Sequence, residues 1–281
     1  MSSRKAPPRN RHGTESESSP PIPPASNAST QPTTPEPTST ALQRVVAELL
    51  GTLLLVLFHG GAAASLNMIE SGNSTIPGIA FLALVDGFSL FAIIMIIGKI
   101  SGVLINPAVT IGLAIQGRFP LREVPSYLAA QFLGATLGTL IIIAAMGHDA
   151  LTIGRLGAVQ LSPGVSIWQG LLIEALGTFF LVLTISATAE DPRSPSGWAA
   201  FAIGMSLTAI VLLFEPFTGA PVNPARAFGP NLVDFLFNVP VEWGVYLLCY
   251  LLGPLIGASI ATTLYRYLAN QPRHKPAPEP D

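Results

Sequence analysis

From Val45 onward the chain alternates long apolar runs with short polar or Gly/Pro-bearing stretches. A hydrocarbon core of ~30 Å takes about 20 residues of helix to cross. Six runs qualify, over residues 45–65, 79–98, 126–146, 167–189, 198–214 and 244–267. The intervening stretches, such as Glu70 to Pro77, Gln116 to Pro125 and Glu190 to Ser196, read as loops. Two further segments, 106–115 (NPAVTIGLAI) and 223–237 (NPARAFGPNLVDFLF), are apolar and helix-like but too short to span. In lipid every backbone polar group needs an internal partner, so short segments at membrane depth belong where protein or a water-filled cavity surrounds them.

The apolar pattern is also duplicated. Glu48–Leu57 (ELLGTLLLVL) matches Glu174–Leu183 (EALGTFFLVL) at an offset of 126, and Asn106-Pro107-Ala108 matches Asn223-Pro224-Ala225 at 117. Gln131 to Gly134, with Gly138, matches Tyr250 to Gly253, with Gly257, at 119. The two copies occupy about 44–147 and 166–268. Each contains three spans, an odd number, so the second copy enters the membrane from the opposite face. Such an inverted repeat is expected to hold its functional site at the midplane, where the halves meet.

Composition agrees with this reading. Only 11% of the 281 residues are charged and mean hydropathy is +0.53, against roughly 25% charged residues in a soluble domain. The first forty residues hold nine Pro, fourteen Ser or Thr and only five apolar residues. Residues 1–43 are therefore expected to be a disordered N-terminal tail, 44–268 a membrane domain and 269–281 a C-terminal tail. The basic start is not followed by a short apolar stretch and cleavage site, so no signal peptide is expected. If both tails are cytoplasmic, that side receives Arg44, Lys99, Arg118, Arg122, Arg193, Arg266, Arg273 and Lys275, against Arg155 and Arg226 elsewhere. The net charge of −2 offers no nucleic-acid footprint. Cys249 is the only cysteine, which excludes an intrachain disulfide.

The repeated Asn-Pro-Ala triplets have a physical use at the midplane. Asn is among the best N-cap residues, and Pro just after it has φ preset for a helix and lacks an N–H that would otherwise be orphaned. Each triplet should start a half-helix. Inverted, the two starts face each other, so two partial positive charges of about half an elementary charge meet at one point and repel cations and protons. The Asn106 and Asn223 carboxamides are expected to keep NH₂ groups free for whatever passes between them. A lone triplet is a common turn; two in register with an inverted repeat are a specific signal.

At this point the chain resembles the aquaporins and aquaglyceroporins, the major intrinsic proteins. Gly98 to Thr110 (GKISGVLINPAVT) looks like that family's first signature and Thr218 to Pro230 (TGAPVNPARAFGP) its second. The resemblance covers about residues 44–268. It implies an all-α membrane fold of six tilted spans plus two re-entrant half-helices, a pore in each protomer, and a homotetramer in the cell membrane. It implies a passive channel for water and small uncharged solutes, not an enzyme, with no catalytic residue, metal or cofactor. The family's constriction maps by counting from the triplets onto Asp86, Val211, Ala220 and Arg226. Only Arg226 matches the water-channel pattern, in which an aromatic and a His stand at 86 and 211. Glu48 and Glu174 are implied to accept hydrogen bonds from backbone N–H groups near the re-entrant loops.

Asp86 stands out from the residues alone, because a carboxylate in an apolar span costs about 2.5–3.5 kcal/mol to insert. Two readings stay open: a structural acid hydrogen-bonded between helices, or a pore residue facing Arg226. His59, near the end of the first span, reads as a packed or interfacial histidine. Val211 and Ala220 widen the inferred constriction and favour solutes such as glycerol or urea. Against that, Ala227 stands where glycerol facilitators have Asp, and the stretch between the third and fourth spans is short. Water together with small neutral solutes is therefore the expectation, their ranking left open. The alternatives are a secondary transporter with inverted repeats or a non-conducting structural membrane protein; an intramembrane aspartyl protease would need a second facing aspartate.

Overall fold

The computed structural model describes residues 39–70 and 75–269. Of the tails expected at 1–43 and 269–281, residues 41–43 belong to the first helix, and residues 1–38 and 270–281 lie outside the described residues. Among the latter, six helices are long and apolar enough to cross a membrane. The spans are α1 (Ala41–Glu70), α2 (Ile76–Ser101), α4 (Val124–Met146), α5 (Ile167–Thr188), α6 (Ala199–Thr218) and α8 (Trp243–Leu268), and two short helices lie between them, α3 (Pro107–Gln116) and α7 (Pro224–Leu236). There is no strand among the described residues. Several spans run beyond their hydropathic cores because capping side chains extend them. Thr40 and Gln43 exchange hydrogen bonds that start α1 before Val45, and Thr75 Oγ1 accepts from Gly78 N to start α2 before residue 79; the capping box of Ser166 and Gln169 starts α5 at the expected residue 167. At the far end of α6 the helix continues past Phe214 through Glu215 and Pro216 to Thr218.

The helices pack as the duplication predicts, α1 against α4 and α5 against α8. Small residues set these distances. A Cβ on Gly134 would lie 2.3 Å from Leu49 O, and one on Gly257 would lie 2.1 Å from Ala175 O. Backbones that close leave no room for a side chain, so these glycines are packing residues. Outward positions carry exposed Phe58, Phe88, Met95, Leu133, Phe180 and Leu213, a surface suited to lipid tails. Towards the centre Leu55, Leu90, Ile97, Leu181, Leu207 and Val222 form one apolar cluster. The second copy is not a perfect echo of the first: residues Tyr246–Leu252 of α8 form a π-helical stretch. The protein is a multi-pass integral membrane protein.

Candidate pore at the junction of the half-helices

Each short helix starts as the Asn-Pro spacing predicts. Asn106 is extended (φ −153°) and its Oδ1 accepts from Ala108 N at 2.9 Å. Asn223 (φ −151°) accepts from Ala225 N at 3.0 Å and Arg226 N at 3.2 Å. Pro107 and Pro224 occupy the first helical turn, with Ala108 and Ala225 fully buried behind them. The carboxamides differ from expectation in one respect. Asn106 Nδ2 donates to Val222 O and Asn223 Nδ2 to Ile105 O, both at 2.9 Å. One N–H of each amide is thus committed across the junction, because the half-helix tips abut closely enough for each to meet the other's loop.

Those loops are held in a backbone conformation that their side chains disfavour. Val103 (φ +53°) and Ile105 (φ +37°) in the first copy are matched by Ala220 (φ +39°) and Val222 (φ +41°) in the second. Such residues cost about 1–3 kcal/mol each and persist only where their surroundings impose them. The buried carboxylates do this. Glu48 accepts from Ser101 Oγ (2.7 Å), Leu104 N (2.9 Å), Ile105 N (2.6 Å) and Gln131 Nε2 (2.8 Å). Glu174 accepts from Thr218 Oγ1 (2.6 Å) and Val222 N (3.0 Å). Tyr127 and Tyr250 hydroxyls complete the two sets by donating to Ser101 O and Thr218 O. Tyr250 thus performs the task of Tyr127, not that of its sequence match Gln131.

Beyond the Asn pair, away from the chain termini, lie the four filter candidates. Arg226 is 5% exposed and its Nη1 donates to Gly157 O at 3.1 Å. The acids that act on it electrostatically are Asp86, Glu215 and Glu174. Asp86 is buried and bonded to His59 Nδ1, and no hydrogen bond joins it to Arg226. Asp86 thus joins α2 to α1 through His59. Val211 has 0% exposure, and with Ala220 it sits in the central apolar cluster. His59 is packed, as its sequence reading has it, but sequence reasoning did not place it against Asp86 and did not single out Glu215. The available signal was a second carboxylate at the end of an apolar run, immediately before Pro216.

On the other side of the Asn pair a cavity of about 100 Å³ runs toward the face of the chain termini. Leu90, Val103, Leu181, Ile203 and Leu207 line it, with Asn106 and Asn223 at its inner end and Glu190 at its mouth. Burial pushes the Glu190 carboxyl above its ordinary value, opposed by the nearby charge of Arg118. The adjoining loop is pinned, since Asp191 accepts from Arg193 Nη2 (2.6 Å) and from Tyr265 Oη (2.7 Å). The Arg193 bonds, helped by Tyr265, hold the Asp191 carboxyl well below the usual carboxylate range. Among the described residues no group of His, Cys, Asp and Glu could hold a metal ion.

Two opposed half-helices, capped by reciprocal asparagines inside a six-span bundle with an apolar cavity leading to them, define a membrane channel. The profile described as Major intrinsic protein matches residues 36–265, and the chain belongs to that family. It is a channel protein, not an enzyme. It is 41% identical over 242 residues to aquaporin AqpM of Methanothermobacter marburgensis, covering 82% of this chain and 98% of that one. It is 37% identical over 229 residues to aquaporin NIP1-1 of Zea mays, covering 81% and 75%. The solved aquaglyceroporin from Plasmodium falciparum superposes with a TM-score of 0.73 at 23% identity, over 82% of this chain and 97% of that one.

Proposed function

We propose that this protein conducts water and small uncharged solutes, of the glycerol and urea kind, passively, and excludes ions and protons. The observation that carries the reading is the crossed pair Asn106 Nδ2 to Val222 O and Asn223 Nδ2 to Ile105 O. It brings two helix N-termini to one point, and about half a positive charge at each opposes any cation there. The remaining amide hydrogens of both asparagines are donors for a passing oxygen, while the apolar wall of the cavity offers few competing partners. Asp86, Val211, Ala220 and Arg226 act as the selectivity filter, with Glu48 and Glu174 as its structural support. The names of the relatives, aquaporins and an aquaglyceroporin, agree with water and small polar solutes. Arg44, Lys99, Arg118, Arg122, Arg193 and Arg266 flank one face, which supports cytoplasmic termini in the cell membrane. The channel works as a homotetramer with a pore in each protomer.

Stopped-flow swelling of proteoliposomes in gradients of sucrose, glycerol and urea tests this. Water permeability well above that of empty vesicles is expected, together with entry of at least one of the two solutes. Permeability equal to that of empty vesicles throughout would leave a structural membrane protein instead.

A further inference from the structure

The arginine of the outer constriction is surrounded by more acceptor groups than the four-residue filter contains. Asp86 is held by His59 Nδ1. With Nδ1–H donating to the carboxylate, the neutral imidazole presents Nε2 as a lone-pair acceptor, and that atom is buried with no partner. Glu215 reaches the same place from α6. Its Oε2 is buried and unpartnered, and the ionisable groups around it are His59, Arg226 and Asp86. Three helices and the α7 tip thus converge on one cluster of a guanidinium, two carboxylates and an imidazole. With the imidazole neutral and both acids ionised, its formal charge is −1.

A constriction with arginine alone offers donors, and suits any solute oxygen. A solute that also carries N–H or O–H groups must lose their hydration there, and Val211 and Ala220 offer nothing in exchange. Carboxylates and an imidazole nitrogen do. We propose that Glu215 and the His59–Asp86 pair are specificity-determining partners of Arg226. They form an acceptor wall that directs the pore toward compact neutral solutes with one oxygen acceptor and several N–H donors, urea being the simplest. Glu215 contacts the solute; His59 is a positioning residue that fixes the Asp86 carboxylate. This deepens the channel reading above and rests on it.

The test is the urea-to-water permeability ratio in proteoliposomes containing wild type, Glu215→Leu, Glu215→Gln or His59→Phe. Each is compared at equal reconstituted protein after confirming monodisperse elution. Glu215→Leu should lower the ratio about ten-fold, the scale of one lost charged hydrogen-bond acceptor. Glu215→Gln, nearly isosteric and still offering an oxygen, should lower it by a smaller factor, and His59→Phe should lower it because Asp86 is released. An unchanged ratio in both Glu215 variants, or equal loss of water and urea, overturns the assignment and leaves the channel standing. A wild type that passes neither water nor urea overturns both.

Discussion

The carboxylate of Asp86 is in an environment where it should be costly, and the imidazole of His59 is what meets it. That pairing decides what a substitution does. Asp86→Phe removes an acceptor, fills space beside Arg226 and leaves His59 without its partner. Urea and glycerol permeability should fall much more than water permeability in swelling assays, and equal effects on all three would remove Asp86 from the filter. At this scale the sequence was half legible. Asp86 and Arg226 were both singled out from the sequence, Asp86 as a carboxylate in an apolar span and Arg226 by its place three residues after Asn223 in the second half-helix. Glu215 escaped because the apolar run ended at residue 214, which put it in a loop. In the structure α6 continues a full turn further through Pro216, so the acid is carried into the bundle. His59 escaped because a single histidine in an apolar run says nothing of its partner 27 residues away.

The existence and order of the helices could be read from hydropathy, and both half-helices start at the predicted asparagines. Several of their ends could not be read, since caps such as Thr40 and Thr75 lie outside the apolar runs. Packing was legible only as a hint in the repeated glycines. The structure turns it into a distance, 2.1 Å from a Cβ on Gly257 to Ala175 O. Neither α5 nor α8 can yield without shifting along its whole length. Gly257→Val should therefore destabilise the bundle by about 3 kcal/mol or more, visible as a lower unfolding midpoint in detergent. A midpoint equal to wild type would show that the helices separate freely there. The π-helical stretch of α8 was not legible at all, because nothing in YLLCYLL distinguishes it from an ordinary apolar turn.

Across the whole molecule, charge exclusion on the proposed reading is divided between the arginine and the opposed helix tips. Asp86 and Glu215 act on Arg226 electrostatically, and the tips do not depend on it. Arg226→Val should raise proton flux only modestly in proteoliposomes loaded with a pH-sensitive dye. A large leak would show that the guanidinium, not the junction, is the main barrier. The inverted repeat was the most legible feature of all, since three matched segments in one order show the duplication and the odd number of spans in each copy inverts the second. What it did not reveal is how tightly the halves are bound to each other. Each asparagine finds its acceptor on the loop of the opposite copy. A polypeptide with only one copy would leave that amide begging at membrane depth, and could complete the passage only by meeting a second chain inserted upside down. Fusing both copies in one chain fixes that one-to-one partnership and makes the opposite orientations a property of synthesis rather than of chance encounter.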